Sequence, residues 1–175
     1  PGRTDEAIAE ANEAIPLEHD PTRAHAVKAR ALLAAGKPEE AAEEAQKAVG
    51  KGTDRDATLQ RAQIQINAGD LDNAETSLRV LQAANPLDTD VIYDLALIAD
   101  KRGKYNEARN GYLAALKIDP TYKLARYNVA RLTWRKGVKE EARNHAKKFM
   151  EIDPNDPAGV TLMQLVSSEP PPQGQ

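Results

Sequence analysis

The chain carries three histidines, His19, His25 and His145, and no cysteine. A hydrolase or transferase needs a nucleophile beside a base, or a cluster of ligands converging on a metal. The three imidazoles are scattered, with no His-x-x-x-His or Glu-x-x-His spacing among them. His145 follows Ala142 by three, which places it at the edge of a helix interface. The absence of cysteine excludes disulfides, zinc–thiolate sites and thiol catalysis. Glu39-Glu40, Glu43-Glu44 and Glu140-Glu141 are adjacent carboxylates. All three pairs fall where helices are expected to begin, so they read as partners of the positive helix end rather than as an acid–base couple. No glycine run has the form of a phosphate-cradling loop. The sequence therefore predicts no catalytic residue, no metal and no cofactor.

The residue types that remain belong to recognition chemistry. Tyr127, Arg131 and Trp134 are spaced by four and three, so one helical face is expected to present them. Tyr93 lies 34 residues before Tyr127. Tyr, Trp and Arg bring large contact areas and planar donors, and they dominate interface energetics. Trp134 has a second reading, as packing against the next helix or a capping segment.

Composition agrees with a binding role and narrows the partner. Of the 175 residues 41% are hydrophobic, but many of these are alanine; 4% are aromatic and 29% charged. That balance suits close-packed helices with solvated outer faces. A net charge of -3, without a basic run, gives no footing for nucleic acid or an anionic membrane surface. No apolar stretch approaches the ~20 residues of a membrane-spanning helix. The composition does not choose a compartment. The chain opens at Pro1-Gly2 in mid-repeat without an initiator methionine, and reads as a fragment or processed form.

The elements that hold these residues are set by a period. Gly2, Gly36, Gly69, Gly103 and Gly137 recur at steps of 34, 33, 34 and 34, each followed five residues later by Ala7, Ala41, Ala74, Ala108 and Ala142. Pro86, Pro120 and Pro154 keep the same 34-residue beat. Such a period means one supersecondary unit stacked on copies of itself. Within 89–122, Ile92, Leu95, Ala96 and Ala99 form one apolar stripe and Ala108, Tyr112, Ala115 and Leu116 another, separated at Gly103. Asn106 and Glu107 suit the start of the second helix. Asp119-Pro120 closes the unit, because proline disfavours helix in the residue before it. Each unit is two antiparallel helices joined by a short turn.

The pattern resembles the tetratricopeptide repeat family over about nine-tenths of the chain. The family's small residue at the helix contact is matched by Ala29, Ala62, Ala96 and Ala130, and its corner by Asp119-Pro120 and Asp153-Pro154. The resemblance implies an all-α, right-handed superhelical solenoid over residues 1–166. Full repeats are expected near 22–54, 55–88, 89–122 and 123–156, with a half repeat at 2–20 and a capping helix at 158–166. Residues 167–175 are expected to be a disordered Pro-rich tail. The irregular loops at Pro16 to Pro21 and around Lys51-Gly52-Thr53 leave the nearby helix ends open.

The resemblance further implies a non-catalytic scaffold whose first helices line a concave groove for a partner peptide or helix. Carried onto this chain, the groove residues are Tyr93, Leu97, Tyr127, Asn128, Arg131, Trp134 and Arg135. At the N-terminal end Arg23 and Arg30 face the groove. Neither register of the family's chaperone-tail clamp holds a cationic cluster, and Asp90 and Asp94 would repel a carboxylate there. Two alternatives stand beside the scaffold. One is self-association as a homodimer through an exposed N-terminal half repeat; the other is a regulatory domain of a larger enzyme or secretion component.

Overall fold

The computed structural model describes residues 2–48 and 55–170, and among them it contains ten α-helices and no strand. They are α1 (Gly2–Ala14), α2 (Thr22–Ala34), α3 (Pro38–Lys47), α4 (Arg55–Ala68), α5 (Leu71–Ala84), α6 (Thr89–Lys101), α7 (Tyr105–Ile118), α8 (Lys123–Arg135), α9 (Lys139–Ile152) and α10 (Pro157–Ser167). The protein is an all-α repeat solenoid divided into two compact units, residues 1–86 and 87–175. In the first, α1 packs on α2, α2 on α3 and α4, and α4 on α5. In the second, α6 packs on α7, α7 on α8, α8 on α9, and α10 on both α8 and α9.

The turn inside each pair is set by a left-handed residue. Gly36, Gly69, Gly103 and Gly137 have φ of 76°, 87°, 75° and 75°. At Gly103 this conformation lets Lys104 N donate to Ala99 O at 2.9 Å, satisfying a carbonyl that the end of α6 would leave unpaired. Gly2 does not share the role; it opens α1 as a helical residue. The corner residues before proline are extended: Asn85 at φ -139° and ψ 95°, Asp119 at -121° and 96°, Asp153 at -146° and 92°. Asn106 and Glu107 lie within α7, whose first flanking residue is Lys104 without a side-chain cap. Capping carboxylates occur instead at Asp88, which accepts from Val91 N, and Asp156, which accepts from Ala158 N.

Helix pairs meet at small residues. Ala29, Ala41, Ala62, Ala74, Ala108, Ala130 and Ala142 are fully buried, and Ala96 nearly so. In the second unit the core gathers Tyr93, Tyr112, Val129 and Leu132 on one side and Phe149, Leu162 and Val166 on the other. α7 comes close to α6 at Gly111, where an added Cβ would lie 2.7 Å from Ala96 Cβ. α10 seats in the same way: a Cβ on Gly159 would meet Phe149 at 2.8 Å. The capping helix extends one residue beyond each end of 158–166. Of the expected tail, Ser167 is helical, Glu169 pairs with Lys139, and 171–175 lie outside the described residues, as does the loop at 49–54. At the other end Leu17 is 84% exposed, while Ile8 and Ile15 are half-buried.

Gly111→Ala therefore separates contact from propensity. In a solvated helix this change stabilises by about 1 kcal/mol. Here it is expected to destabilise by about 1–3 kcal/mol through overpacking against Ala96, with partial recovery on adding Ala96→Gly. Urea denaturation checks this; an unchanged or raised midpoint for Gly111→Ala contradicts it.

Candidate functional site

The expected groove residues of the second unit lie on two first helices, α6 and α8, and polar side chains cross-link them. Asn128 Nδ2 donates to Tyr93 Oη at 3.1 Å, and both residues are buried. Arg131 Nη2 donates to Asp100 Oδ2, which also accepts from Tyr112 Oη at 3.4 Å. The Asp100 side chain is 8% exposed, so this ion pair is largely desolvated and removal of either partner leaves a costly charge behind. Tyr122 Oη donates to Asp90 Oδ1 at 2.8 Å. Beneath these bonds the Tyr93 ring lies 5.4 Å from Tyr112 and 5.3 Å from Tyr122. Burial, then the nearby carboxylate charges, pushes the Tyr93 and Tyr112 phenols upward. They stay neutral donors and acceptors at all ordinary pH.

The seven groove residues do not converge on one point. Tyr93 and Asn128 are buried. Arg131 reaches back to α6, whereas Tyr127 and Trp134 lean toward α9 and α10. The Tyr127 ring meets Phe149 edge-on at 6.2 Å, and Trp134 Nε1 donates to Ser168 O at 3.4 Å. Trp134 thus packs against the capping segment. Arg135 sits over the Tyr105 ring at 4.5 Å, at the turn edge of the repeat. Leu97 is half-buried, and Leu124, one turn before Tyr127, is 56% exposed.

A second charged cluster lies in the first unit, where the sequence suggested helix-end carboxylates. Glu39 and Glu40 do sit in the first turn of α3, but Glu44 is buried a turn further on. It accepts from His25 Nδ1 at 2.8 Å, Lys28 Nζ at 3.0 Å and Lys47 Nζ at 3.0 Å. Burial drives its carboxyl upward, but the hydrogen bonds from His25, Lys47 and Lys28 outweigh it and hold the group down at about 2. His25 and Lys28 come from 19 and 16 residues upstream, a separation that adjacency in sequence could not reveal. His145 is half-buried on α9, its imidazole pushed downward by burial and then by the Arg126 charge. Among the described residues no group of three or more His, Cys, Asp or Glu side chains could hold a metal ion. No helix among them is long and apolar enough to cross a membrane.

The family model for the tetratricopeptide repeat matches residues 26–89 and 93–157. No curated protein sequence matches the chain. Among solved structures, PilF of Pseudomonas aeruginosa aligns with a TM-score of 0.70 and 18% identity, covering 95% of this chain and 77% of that one. YrrB, described as a TPR protein with an unusual peptide-binding site, aligns at 0.62 and 18% identity, covering 93% and 84%. The Yersinia enterocolitica type III secretion chaperone SycD, solved with a peptide of the translocator YopD, aligns at 0.58 and 16% identity, covering 67% and 95%. At these identities the likeness is one of fold.

The Glu44 cluster makes stability pH-dependent. A carboxyl held below its ordinary 4.5 contributes stability that is complete above about 4.5 and lost as pH falls toward about 2. The loss is expected to be on the order of 2–3 kcal/mol in the wild type and largely absent from the pH profile of Glu44→Gln. Unfolding midpoints measured across that window check it; parallel profiles contradict it.

Proposed function

This chain belongs to the tetratricopeptide repeat family, and we propose that it is a non-catalytic scaffold that holds a peptide or helix of another protein along α6 and α8. One observation carries the reading. The inner line of the second unit is built of large side chains already fixed by Tyr93–Asn128, Asp100–Arg131 and Tyr122–Asp90, so a ligand meets a wall that needs little ordering. Over that wall Leu97 and Leu124 offer apolar contact, and Arg131 offers donors beyond those used by Asp100. The peptide-binding descriptions of YrrB and SycD support the same kind of partner. Tyr127 and Trp134 then act from behind, by setting α8 against its cap.

The test must spare that packing. Peptides selected from a random display library against the protein are expected to bind at micromolar Kd. Leu97→Ser together with Leu124→Ser is expected to weaken them at least ~10-fold, about 1.4 kcal/mol, with the helical circular dichroism unchanged. Failure to select any peptide, or affinity untouched by the double substitution, contradicts the reading.

A further inference from the structure

The net charge of -3 is divided unevenly. Residues 1–86 hold 10 Lys and Arg against 15 Asp and Glu, and residues 87–175 hold 14 against 12. Six of those 14 cations stand at the turns inside the helix pairs of the second unit. In the repeat register, the five residues around each turning glycine read Ala-Ala-Gly-Lys-Pro at 34–38 and Asn-Ala-Gly-Asp-Leu at 67–71. In the second unit they read Lys-Arg-Gly-Lys-Tyr at 101–105 and Arg-Lys-Gly-Val-Lys at 135–139. Glycine makes the turn in all four, so the fold does not call for the cations beside it.

The two basic turns form one surface. The Arg135 guanidinium covers the Tyr105 ring at 4.5 Å and donates from Nη2 to Tyr105 Oη at 3.3 Å. Lys136 Nζ donates to Asn106 Oδ1. The sequence shows no basic run because the cations come in two groups 34 residues apart, which these contacts unite. Lys101, Arg102, Lys104, Arg135 and Lys136 are exposed, and Lys139 is half-buried. Lys104 pairs with Glu107 at 3.5 Å and Lys139 with Glu169 at 2.6 Å, exposed pairs that are weak and open readily to another anion. Among the described residues Lys101 and Lys136 have no carboxylate partner. Two apolar or aromatic side chains stand among the cations: Tyr105 is 37% exposed and Val138 46%. Between the turns lies a hollow of about 310 Å³, lined by Lys104, Tyr105 and Lys136 together with Glu107.

We propose that this edge of the second unit docks on an anionic lipid surface. The inference is independent of the peptide-binding reading, since it uses the turns and not the inner line of α6 and α8. Cations spread over two turns meet many headgroups at once, each weakly, which is how a charged plane is held. Tyr105 brings an amphipathic ring suited to the headgroup layer, and Val138 an aliphatic tip suited to the acyl boundary beneath it. The hollow gives room for one headgroup phosphate, with Lys104 and Lys136 as point charges beside it. A nucleic acid would use the cations and leave Val138 idle. The acidic first unit does not forbid the contact, because carboxylates further than about 8 Å from the bilayer are largely screened at physiological salt.

The test is co-sedimentation of the full chain with phosphatidylcholine vesicles containing about 30% phosphatidylglycerol, set against pure phosphatidylcholine. The chain is expected to sediment with the anionic vesicles and to stay in solution with the neutral ones. Binding is expected to fall at least ~10-fold between about 50 and about 300 mM salt, and at least ~10-fold in Lys101→Glu with Lys136→Glu. Val138→Ser is expected to weaken it ~3-fold. Lys37→Glu with Arg79→Glu makes the same change of charge in the first unit, and is expected to leave binding within ~2-fold. All five residues are exposed, so the variants keep their helical circular dichroism. Equal binding to neutral vesicles overturns the proposal, as does indifference to the Lys101 and Lys136 pair. Equal losses in the two charge-reversed pairs overturn it too, since net charge and not this edge would then decide. A single-stranded oligonucleotide held more tightly than the vesicles, through the same two lysines, overturns it in favour of nucleic acid. Self-association of the chain that is lost in the Lys101 and Lys136 variant overturns it in favour of a second copy.

Discussion

How near two helices can come is the constraint on which this protein is built. Ala29, Ala62, Ala96 and Ala130 are buried at the matching place of four first helices, and Gly111 meets Ala96 with no room for a Cβ between them. A larger side chain at such a point would force the axes apart and change the angle at which the ridges interlock. The left-handed glycines and the extended residues before Pro86, Pro120 and Pro154 then return the chain for the next pair. Turn and contact together decide which side chains face inward. The hydrogen bonds between α6 and α8 are a consequence of that register.

Given the register, the two units treat their inner lines in different ways. In the second, tyrosines fill the wall and hydrogen-bond to Asn128, Asp90 and Asp100, so polar groups are satisfied within the protein and the surface is stiff. In the first, Ala26 leaves a cavity rimmed by guanidinium groups. The contact between paired helices differs as well. Lys28 with Glu44 and Arg61 with Ser77 stand where the second unit has Leu95 with Gly111 and Val129 with His145. An ion pair in one of the former hairpins and a hydrogen bond from a guanidinium in the other join their helices at these places.

The fold was legible because its determinants are local and repeated: a glycine that takes positive φ, an alanine five residues on, a proline that stops the helix. The site was legible only as a set of positions. Tyr93 and Asn128 were readable as positions on neighbouring first helices, but their bond to each other spans 35 residues and depends on the distance between α6 and α8. Tyr127, Arg131 and Trp134 share a helical face by spacing, yet α6 draws Arg131 one way and α10 draws Trp134 the other. Periodicity does not say which neighbour a long side chain will choose. Glu44 was misplaced for a similar reason. Its adjacency to Glu43 suggested a helix end, whereas two of its three partners, His25 and Lys28, come from α2. Arg30 stands in the register in which the family's clamp was sought; Arg23 and Arg61, which line the same cavity, do not.

The contact between Ala96 and Gly111 can be observed without altering the chain. An Ala96 methyl this close to the Gly111 α protons is expected to give one of the strongest long-range nuclear Overhauser peaks in the second unit. Such a peak would place α6 and α7 at the separation on which every inward-facing residue depends. Its absence, in a protein that is otherwise helical and folded, would mean that the helices stand further apart and that the register described for α6 and α8 is wrong.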